Sequence, residues 1–161
     1  RRRYSHRNRA AMNVNYELLA KTIDALIAGE TDTIAKMATI ACEVHNSDDR
    51  FDWTGFYRVV EPELLKIGPY QGGHGCLVIP FNRGVCGAAA RENKIQLVDD
   101  VDAFPGHIAC SSSTLSEIVL PVHDKDGNVI AVFDIDSNRP AAFTSEDAEN
   151  LQNILNNAFA V

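Results

Sequence analysis

The residues of this sequence best suited to chemistry are four cysteines: Cys42, Cys76, Cys86 and Cys110. Cys110 lies in an irregular stretch of mostly small and polar residues, Gly106-His107-Ile108-Ala109-Cys110-Ser111-Ser112-Ser113. A thiol reacts as its thiolate, and a nearby cation or converging backbone N–H groups lower its pKa. Because His107 is three residues from Cys110, this loop favours a reactive thiol over a structural one.

Two further cysteines lie where a loop meets a predicted element. Cys76 begins a predicted strand, and Cys86 stands between Gly84 and Gly87, which let another backbone or a ligand approach closely. A dithiol cycle would use such residues, with one thiol attacking and a second resolving the oxidised first. The residues alone do not decide whether Cys76 or Cys86 resolves Cys110.

Two other interpretations of the cysteines remain open at this point. All four could be free and buried, as is usual for reduced thiols, and Cys42 lies beside the apolar stripe of a predicted helix. A zinc site could use Cys76, Cys86, Cys110 and His107. However, structural zinc sites usually bring close pairs such as C-x-x-C, which the sequence lacks.

Two acidic side chains lie next to apolar residues on one face of a predicted strand. Asp134 and Asp136 are two residues apart, so both share a face with Ile130 and Val132, and Glu117 begins the neighbouring strand. Buried carboxylates require a cation or hydrogen-bond donors. The three acids could therefore hold the ammonium group of a ligand. Equally, the two aspartates could pass beyond the sheet edge and cap a loop.

Trp53 and Tyr57 share one face of an aromatic, β-branched strand, Trp53-Thr54-Gly55-Phe56-Tyr57-Arg58-Val59-Val60. Aromatic residues on strands usually belong to the core. The sharper interpretation is an aromatic wall over a small apolar or sulfur-containing ligand.

The elements that must position these residues follow from periodicity and turn signals. Four helices are predicted: one over 15–28, one that begins at a cap at Thr31, one after Gly84 and one from Thr144. Six strands are predicted, over 53–60, 64–67, 76–80, 95–98, 116–122 and 128–136. Asp126-Gly127 predicts a hairpin between the last two strands. This order predicts an α+β fold with a central, mostly antiparallel sheet, helices on one face and a ligand pocket under loops on the other.

Length and charge narrow the function classes. The 161 residues fit one domain, predicted over 15–161, and residues 1–14 are expected to be a disordered basic tail, either an engineered addition or the end of a targeting segment. The net charge of −7 argues against nucleic acid, which needs a concentrated basic surface. No apolar run reaches the ~20 residues of a membrane helix, so we expect no membrane span.

With these residues in view, the sequence resembles the free methionine-(R)-sulfoxide reductases, which are GAF-domain enzymes. Six blocks carry the resemblance in the order and spacing of the family, from about residue 15 to the final helix: Trp53-Thr54-Gly55-Phe56-Tyr57, Gly68-Pro69-Tyr70-Gln71-Gly72, Gly84-Val85-Cys86-Gly87, Gly106-His107-Ile108-Ala109-Cys110, Ser116-Glu117-Ile118-Val119-Leu120-Pro121 and Asp134-Ile135-Asp136-Ser137. The resemblance implies a single GAF-like domain.

The resemblance also implies roles for the site residues. Cys76, Cys86 and Cys110 would be the redox cysteines, and Trp53 and Tyr57 would line the pocket. Glu117, Asp134 and Asp136 would bind or polarise the substrate. Ser111 departs from the family, which usually has an acid directly after the loop cysteine. We expect this to alter the tuning of Cys110 without loss of activity.

The activity that the resemblance implies is the reduction of free L-methionine-(R)-sulfoxide to methionine. Cys110 would become a sulfenic acid and then a disulfide, which thioredoxin, and ultimately NADPH, would reduce. We therefore expect a cytoplasmic enzyme, a homodimer, with no bound cofactor and no metal. The alternative is a GAF module that senses a small ligand without catalysis.

Overall fold

The structure is a computed structural model that describes residues 13–161. Most of the predicted basic tail, residues 1–14, lies outside the described residues. The helices are α1 (Tyr16–Ile27), α2 (Thr33–His45), α3 (Gly84–Glu92) and α4 (Ser145–Phe159). The strands are β1 (Trp53–Glu61), β2 (Leu64–Gln71), β3 (Val78–Pro80), β4 (Gln96–Val98), β5 (Ser116–His123) and β6 (Val129–Ser137).

The strands form one six-stranded sheet in the order β3-β2-β1-β6-β5-β4. All five neighbouring pairs are antiparallel. The two central strands, β1 and β6, are far apart in the sequence and are therefore joined only in the folded protein. This confirms the predicted antiparallel α+β fold.

The main core lies between one face of the sheet and helices α1, α2 and α4. Phe56 on β1, Phe133 on β6 and Leu120 on β5 project into this core and are fully buried. Alternate residues of a strand face opposite sides of the sheet, so the neighbours of these core residues face the other way. Three helices on this face leave the second face of the sheet available for a site.

The second face is covered by α3 and by the loops on either side of it. A smaller apolar cluster joins α3 to this face through Val85, Ala89, Val119 and Val132. The short helix predicted after Gly84 is therefore present, and it forms one wall of the loop-covered side. The predicted pocket under loops lies on this face.

Two strand boundaries differ from the sequence prediction. The strand predicted over 64–67 is longer in the structure: β2 continues through the glycine-containing run 68–71, because Gln71 pairs with Thr54 and Tyr70 with Gly55. The strand predicted from Cys76 begins at Val78, which leaves Cys76 in the loop between β2 and β3. Tertiary pairing with β1 thus overrides the local signal of the glycines.

The helix boundaries follow capping residues. Asn15 caps α1 and Asp32, not the predicted Thr31, caps α2, each through a side-chain oxygen that accepts a backbone N–H bond. The buried face of α1 is narrow, since Leu19 and Ile23 are buried while Leu18 and Leu26 are exposed.

A largely buried ionic network ties the loop after α2 to the starts of α4 and α1. Arg50 makes ion pairs of 2.8 Å with Asp48 and with Asp147 at the start of α4. The Tyr16 hydroxyl donates a hydrogen bond to Asp147 at 2.7 Å, which links the start of α1 to the network.

Within residues 13–161, no helix has the length and apolar character needed to cross a membrane.

Candidate active site

The sheet register places three predicted site residues in one row. On adjacent strands, Trp53 pairs with Asp136, and Asp136 pairs with Glu117. In the next row Gly55 pairs with Asp134. All of these residues are at alternate positions that face the loop-covered side. Residues from three strands are therefore gathered at one place on the sheet.

This placement decides between the two interpretations of the aspartates. Asp134 and Asp136 lie within the β1–β6 and β5–β6 ladders, so neither passes beyond the sheet edge to cap a loop. Asp134 is 4% exposed and Glu117 is 6% exposed. The carboxyl groups face a buried cavity, which is the arrangement expected of a ligand site.

The electrostatics of this cluster favour a cationic ligand. Burial, followed by the charge of Asp134, raises the pKa of Glu117, and burial together with Asp136 raises the pKa of Asp134. Burial and the charge of Glu117 raise the pKa of Asp136 as well. Oδ1 of Asp134 and Oδ1 of Asp136 are buried without a hydrogen-bond partner within residues 13–161. A bound cation would supply the missing partner and relieve the mutual repulsion.

Aromatic rings form a wall beside the carboxyl groups. Trp53 stacks against Tyr57 and Tyr70 with ring centroids 5.8 Å and 5.4 Å apart, and its Nε1 donates to the Gly73 carbonyl at 2.9 Å. The sequence indicated Trp53 and Tyr57 but not Tyr70, because the predicted strand ended at residue 67. The Trp53 ring is held in place by stacking on Tyr70 and by its hydrogen bond to Gly73 in the 72–75 loop.

Gly55 is a second residue that sequence reasoning missed. A Cβ at this position would stand 2.4 Å from Cβ of Tyr70 and 2.6 Å from the Trp53 ring. No side chain fits there while the aromatic stack is kept. Gly55 falls between Trp53 and Tyr57 at the same-face spacing, and that spacing is the signal that could have identified it.

A disulfide joins two loops at the cavity. Cys76, in the loop between β2 and β3, is bonded to Cys110, in the loop between β4 and β5, with Cα atoms 5.4 Å apart. Cys110 lines the cavity directly. Because these two thiols are joined, they cannot also act together as zinc ligands with Cys86 and His107 in this state. Cys42, on α2, is free.

Cys86 is also a free thiol and lies in the first turn of α3. It is buried at the cavity wall. Burial, and next the charge of Asp134, raises the pKa of Cys86, so this thiol stays protonated at neutral pH. The structure therefore brings Cys76 to Cys110 and leaves Cys86 beside the carboxyl groups.

His107 lines the same cavity as Cys110. Its Nε2 lies 4.0 Å from Oε1 of Glu117. Sequence proximity had indicated a role beside Cys110. The structure adds a neighbour in the carboxyl cluster that the sequence did not indicate.

The cavity opens to solvent, and the empty space in the cavity and its mouth together is about 520 Å³. Seven of the eight predicted site residues line it: Trp53, Tyr57, Cys86, Cys110, Glu117, Asp134 and Asp136. The eighth, Cys76, reaches it through the disulfide. Other lining residues that the sequence did not indicate include His74, Ile108 and Thr114.

Comparison with known proteins agrees with this geometry. The family model for the GAF domain matches residues 28–159. The free methionine-R-sulfoxide reductase of Escherichia coli is 41% identical over 140 residues, which cover 87% of this chain and 84% of the relative. The chain belongs to the free methionine-R-sulfoxide reductase family. The yeast member of this family is 43% identical over 105 residues, which cover 64% of this chain and 58% of the yeast protein.

Solved structures of the free methionine-R-sulfoxide reductase family share the fold. The Neisseria meningitidis enzyme in complex with its substrate is 38% identical and superposes with a TM-score of 0.83, covering 92% of this chain and 95% of that chain. The resemblance identified from six sequence blocks is thereby confirmed at the level of family and fold.

Proposed function

We propose that this protein reduces free L-methionine-(R)-sulfoxide to methionine, with Cys110 as the attacking thiol and Cys76 as the resolving thiol. The observation that supports this most directly is the disulfide between Cys76 and Cys110 beside a cavity that holds three carboxyl groups. A disulfide at that place is the expected product of one turnover.

In the first step, the Cys110 thiolate attacks the sulfoxide sulfur. The sulfoxide oxygen gains electron density as the S–S interaction develops, and it must be protonated. Glu117 is the proton donor, because it is buried in the cavity beside other carboxyl groups that disfavour its ionised form. The S–S interaction then breaks as the hydroxyl moves from the substrate sulfur to Sγ of Cys110, so methionine leaves as the thioether and Cys110 becomes a sulfenic acid.

In the second step, the Cys76 thiol attacks the sulfenic sulfur and water leaves. The two thiols are thereby oxidised by two electrons to the disulfide Cys76–Cys110. The sulfoxide is reduced by two electrons and two thiols are oxidised to one disulfide, so the balance needs no bound cofactor. Cys86 is not joined in this step, and it contributes to the cavity wall.

Recognition of the free amino acid rests on Asp134 and Asp136. Each has a buried Oδ1 without a protein partner within residues 13–161, which suits the ammonium group of the substrate. A methionine within a peptide has no such charge. The rings of Trp53 and Tyr57 would contact the S-methyl end, since sulfur groups pack well on aromatic rings.

Recycling requires an external dithiol, and we propose thioredoxin, with NADPH as the ultimate donor, in the cytoplasm. Cys76 and Cys110 are partly exposed and Leu77 beside them is 70% exposed, so a partner could approach this disulfide. We also propose a homodimer, which the exposed apolar side chains of Leu18, Leu26 and Ile34 on α1 and α2 would favour.

A direct assay tests the function. Purified protein is incubated with each epimer of free methionine sulfoxide and with dithiothreitol or thioredoxin, and methionine is quantified. Turnover of the R epimer supports the proposal. Binding of the sulfoxide without turnover under reducing conditions would instead support the alternative, a GAF module that senses a ligand.

A further inference from the structure

One group of side chains in the cavity is not explained by sulfoxide reduction alone. Cys86, Glu117 and Asp134 each offer one ligand atom, and these three atoms lie within 4.8 Å of one another. The three residues come from separate elements, α3, β5 and β6. The proposed reaction uses Glu117 and Asp134 but gives the Cys86 thiol no chemical step.

We infer that Cys86, Glu117 and Asp134 form a binding site for a zinc ion inside the substrate cavity, so that zinc and free methionine sulfoxide exclude each other. The metal site itself rests on the geometry of these side chains. The consequence for substrate rests on the proposed function.

The donor set fits this ion. One thiolate sulfur and two carboxylate oxygens are ligands that zinc accepts at about 2.3 Å and about 2.0–2.2 Å, and three protein ligands leave a position for water. In a tetrahedral site such donors stand about 3.3–3.7 Å apart. The separations of up to 4.8 Å therefore require only small side-chain movements. A harder ion such as Mg²⁺ would not favour the sulfur.

An independent observation points to a ligand at the same place. Asp134 is 4% exposed, and its Oδ1 is buried without a hydrogen-bond partner in the part of the chain that the structure describes. Such an oxygen is costly unless a cation or a donor reaches it. The substrate ammonium and a metal ion would both satisfy it, and both cannot be there together.

Binding would displace the thiol proton. The step is Cys86-SH + Glu117-COOH + Asp134-COO⁻ + Zn²⁺ → [Zn(Cys86-S)(Glu117-COO)(Asp134-COO)]⁻ + 2 H⁺, with no change of oxidation state. The ion would then occupy the place at which the ammonium binds and would engage the proton donor Glu117. Zinc would therefore act as a reversible inhibitor that competes with substrate.

The reduced pair Cys76 and Cys110 could also bind zinc, so the test removes it. A Cys76→Ser/Cys110→Ser variant of the full chain keeps only the thiols of Cys42 and Cys86, because the sequence has four cysteines. Co²⁺ serves as the spectroscopic probe, since a thiolate ligand gives a charge-transfer band in the near ultraviolet. We expect this band on addition of Co²⁺ and its loss when one equivalent of Zn²⁺ is added.

Matched variants in this background locate the site. A further Cys86→Ser or Cys86→Ala change should abolish the band, and Asp134→Asn should weaken Co²⁺ binding at least tenfold. Cys42→Ser should leave the band unchanged. Unfolding midpoints and circular dichroism confirm that each variant is folded. Absence of the band, or its loss with Cys42→Ser and persistence with Cys86→Ser, would overturn the site.

Substrate competition is measured on the same protein, which cannot turn substrate over. Trp53 is the single tryptophan of the sequence and lines the cavity, so its fluorescence reports sulfoxide binding separately. Saturating methionine sulfoxide should raise the apparent Kd for Co²⁺ at least tenfold. An unchanged Kd with bound sulfoxide would overturn the mutual exclusion. A cobalt band without any fluorescence response to sulfoxide would support the metal site and count against the proposed function.

Discussion

Glu117 on β5 lies directly opposite Asp136 on β6, and Asp136 in turn lies opposite Trp53 on β1. One row of the sheet thus carries the proposed proton donor, a carboxyl group proposed to bind the ammonium, and one ring of the aromatic wall. The row explains how a small domain collects the parts of a site from strands that are distant in the sequence. It also fixes which substitutions should affect binding and which should affect chemistry.

The first prediction concerns the attacking thiol. Cys110→Ser should abolish sulfoxide reduction, because a hydroxyl does not form the sulfenic acid intermediate, while the fold stays intact. Methionine formation with dithiothreitol is the measurement, and Cys42→Ser is the matched control, with unchanged turnover. If Cys110→Ser kept near-normal turnover, Cys86 would become the leading candidate for the attack.

The second prediction concerns the resolving thiol. Cys76→Ser should still release about one equivalent of methionine in a single turnover, yet it should lose turnover with thioredoxin, since no disulfide can form. Peptide mapping of the unmodified protein after substrate without reductant should find Cys76 joined to Cys110. A bridge that contains Cys42 would contradict the scheme.

The third prediction concerns recognition of the free amino acid. Asp134→Asn and Asp136→Asn should each raise the KM for free methionine sulfoxide about tenfold or more. The reason is that a charge-assisted hydrogen bond contributes roughly 1.5–3 kcal/mol to binding. A loss of about 1.4 kcal/mol corresponds to a tenfold weaker binding constant. N-acetyl-methionine sulfoxide, which lacks the ammonium, should be a very poor substrate. Equal rates for the acetylated and free compounds would contradict the proposal that these carboxylates bind the substrate ammonium.

The fourth prediction uses the space around Gly55. A Cβ there would collide with Tyr70 and the Trp53 ring, so Gly55→Ala should displace the aromatic wall and raise the KM for the sulfoxide. Gly73→Ala is the control in the same region, because a Cβ at Gly73 has no atom within 4 Å. Similar kinetics for the two variants would show that the wall is not needed.

The fifth prediction concerns acid stability. Burial by itself would raise the pKa of Asp48 and of Asp147, but hydrogen bonds from Arg50 outweigh it, so both pKa values are lowered. Carboxyl groups with a folded pKa below the unfolded value contribute stability above about pH 4. That contribution is lost as the pH falls below this value. The unmodified protein should therefore lose more stability, measured by its unfolding midpoint, than Asp147→Asn on acidification from about pH 6 to about pH 3. The raised pKa values of Glu117, Asp134 and Asp136 act in the opposite direction but are common to both proteins.

The same network gives a matched comparison of ion pairs. Arg50→Met should destabilise the protein by about 2–3 kcal/mol, since it leaves two buried carboxylates without their partner. Glu17→Gln removes the ion pair between Glu17 and Lys21, whose side chains are respectively 81% and 73% exposed. This substitution should change the urea midpoint of unfolding little. Equal effects of the two substitutions would contradict a stabilising role for the buried network.

The sequence by itself determined the class of chemistry and most of the elements. Capping residues, apolar periodicity and the Asp126-Gly127 hairpin are local signals, so helices α1, α2 and α4 and strands β5 and β6 could be predicted from neighbouring residues. The same-face spacing of Asp134 and Asp136, and of Trp53 and Tyr57, follows from the period of a strand. Six spaced blocks were sufficient for the family.

Only the tertiary structure decided what depends on contacts between distant segments. The continuation of β2 through Tyr70 requires pairing with β1, and the position of His107 beside Glu117 requires that a loop fold over the sheet. Most clearly, Cys76 and Cys86 have similar glycine-rich surroundings in the sequence. Cys76 lies in a loop that reaches Cys110, whereas Cys86 is fixed in a buried helical turn beside Asp134. Loop reach and burial are properties of the fold, and they separated the two thiols.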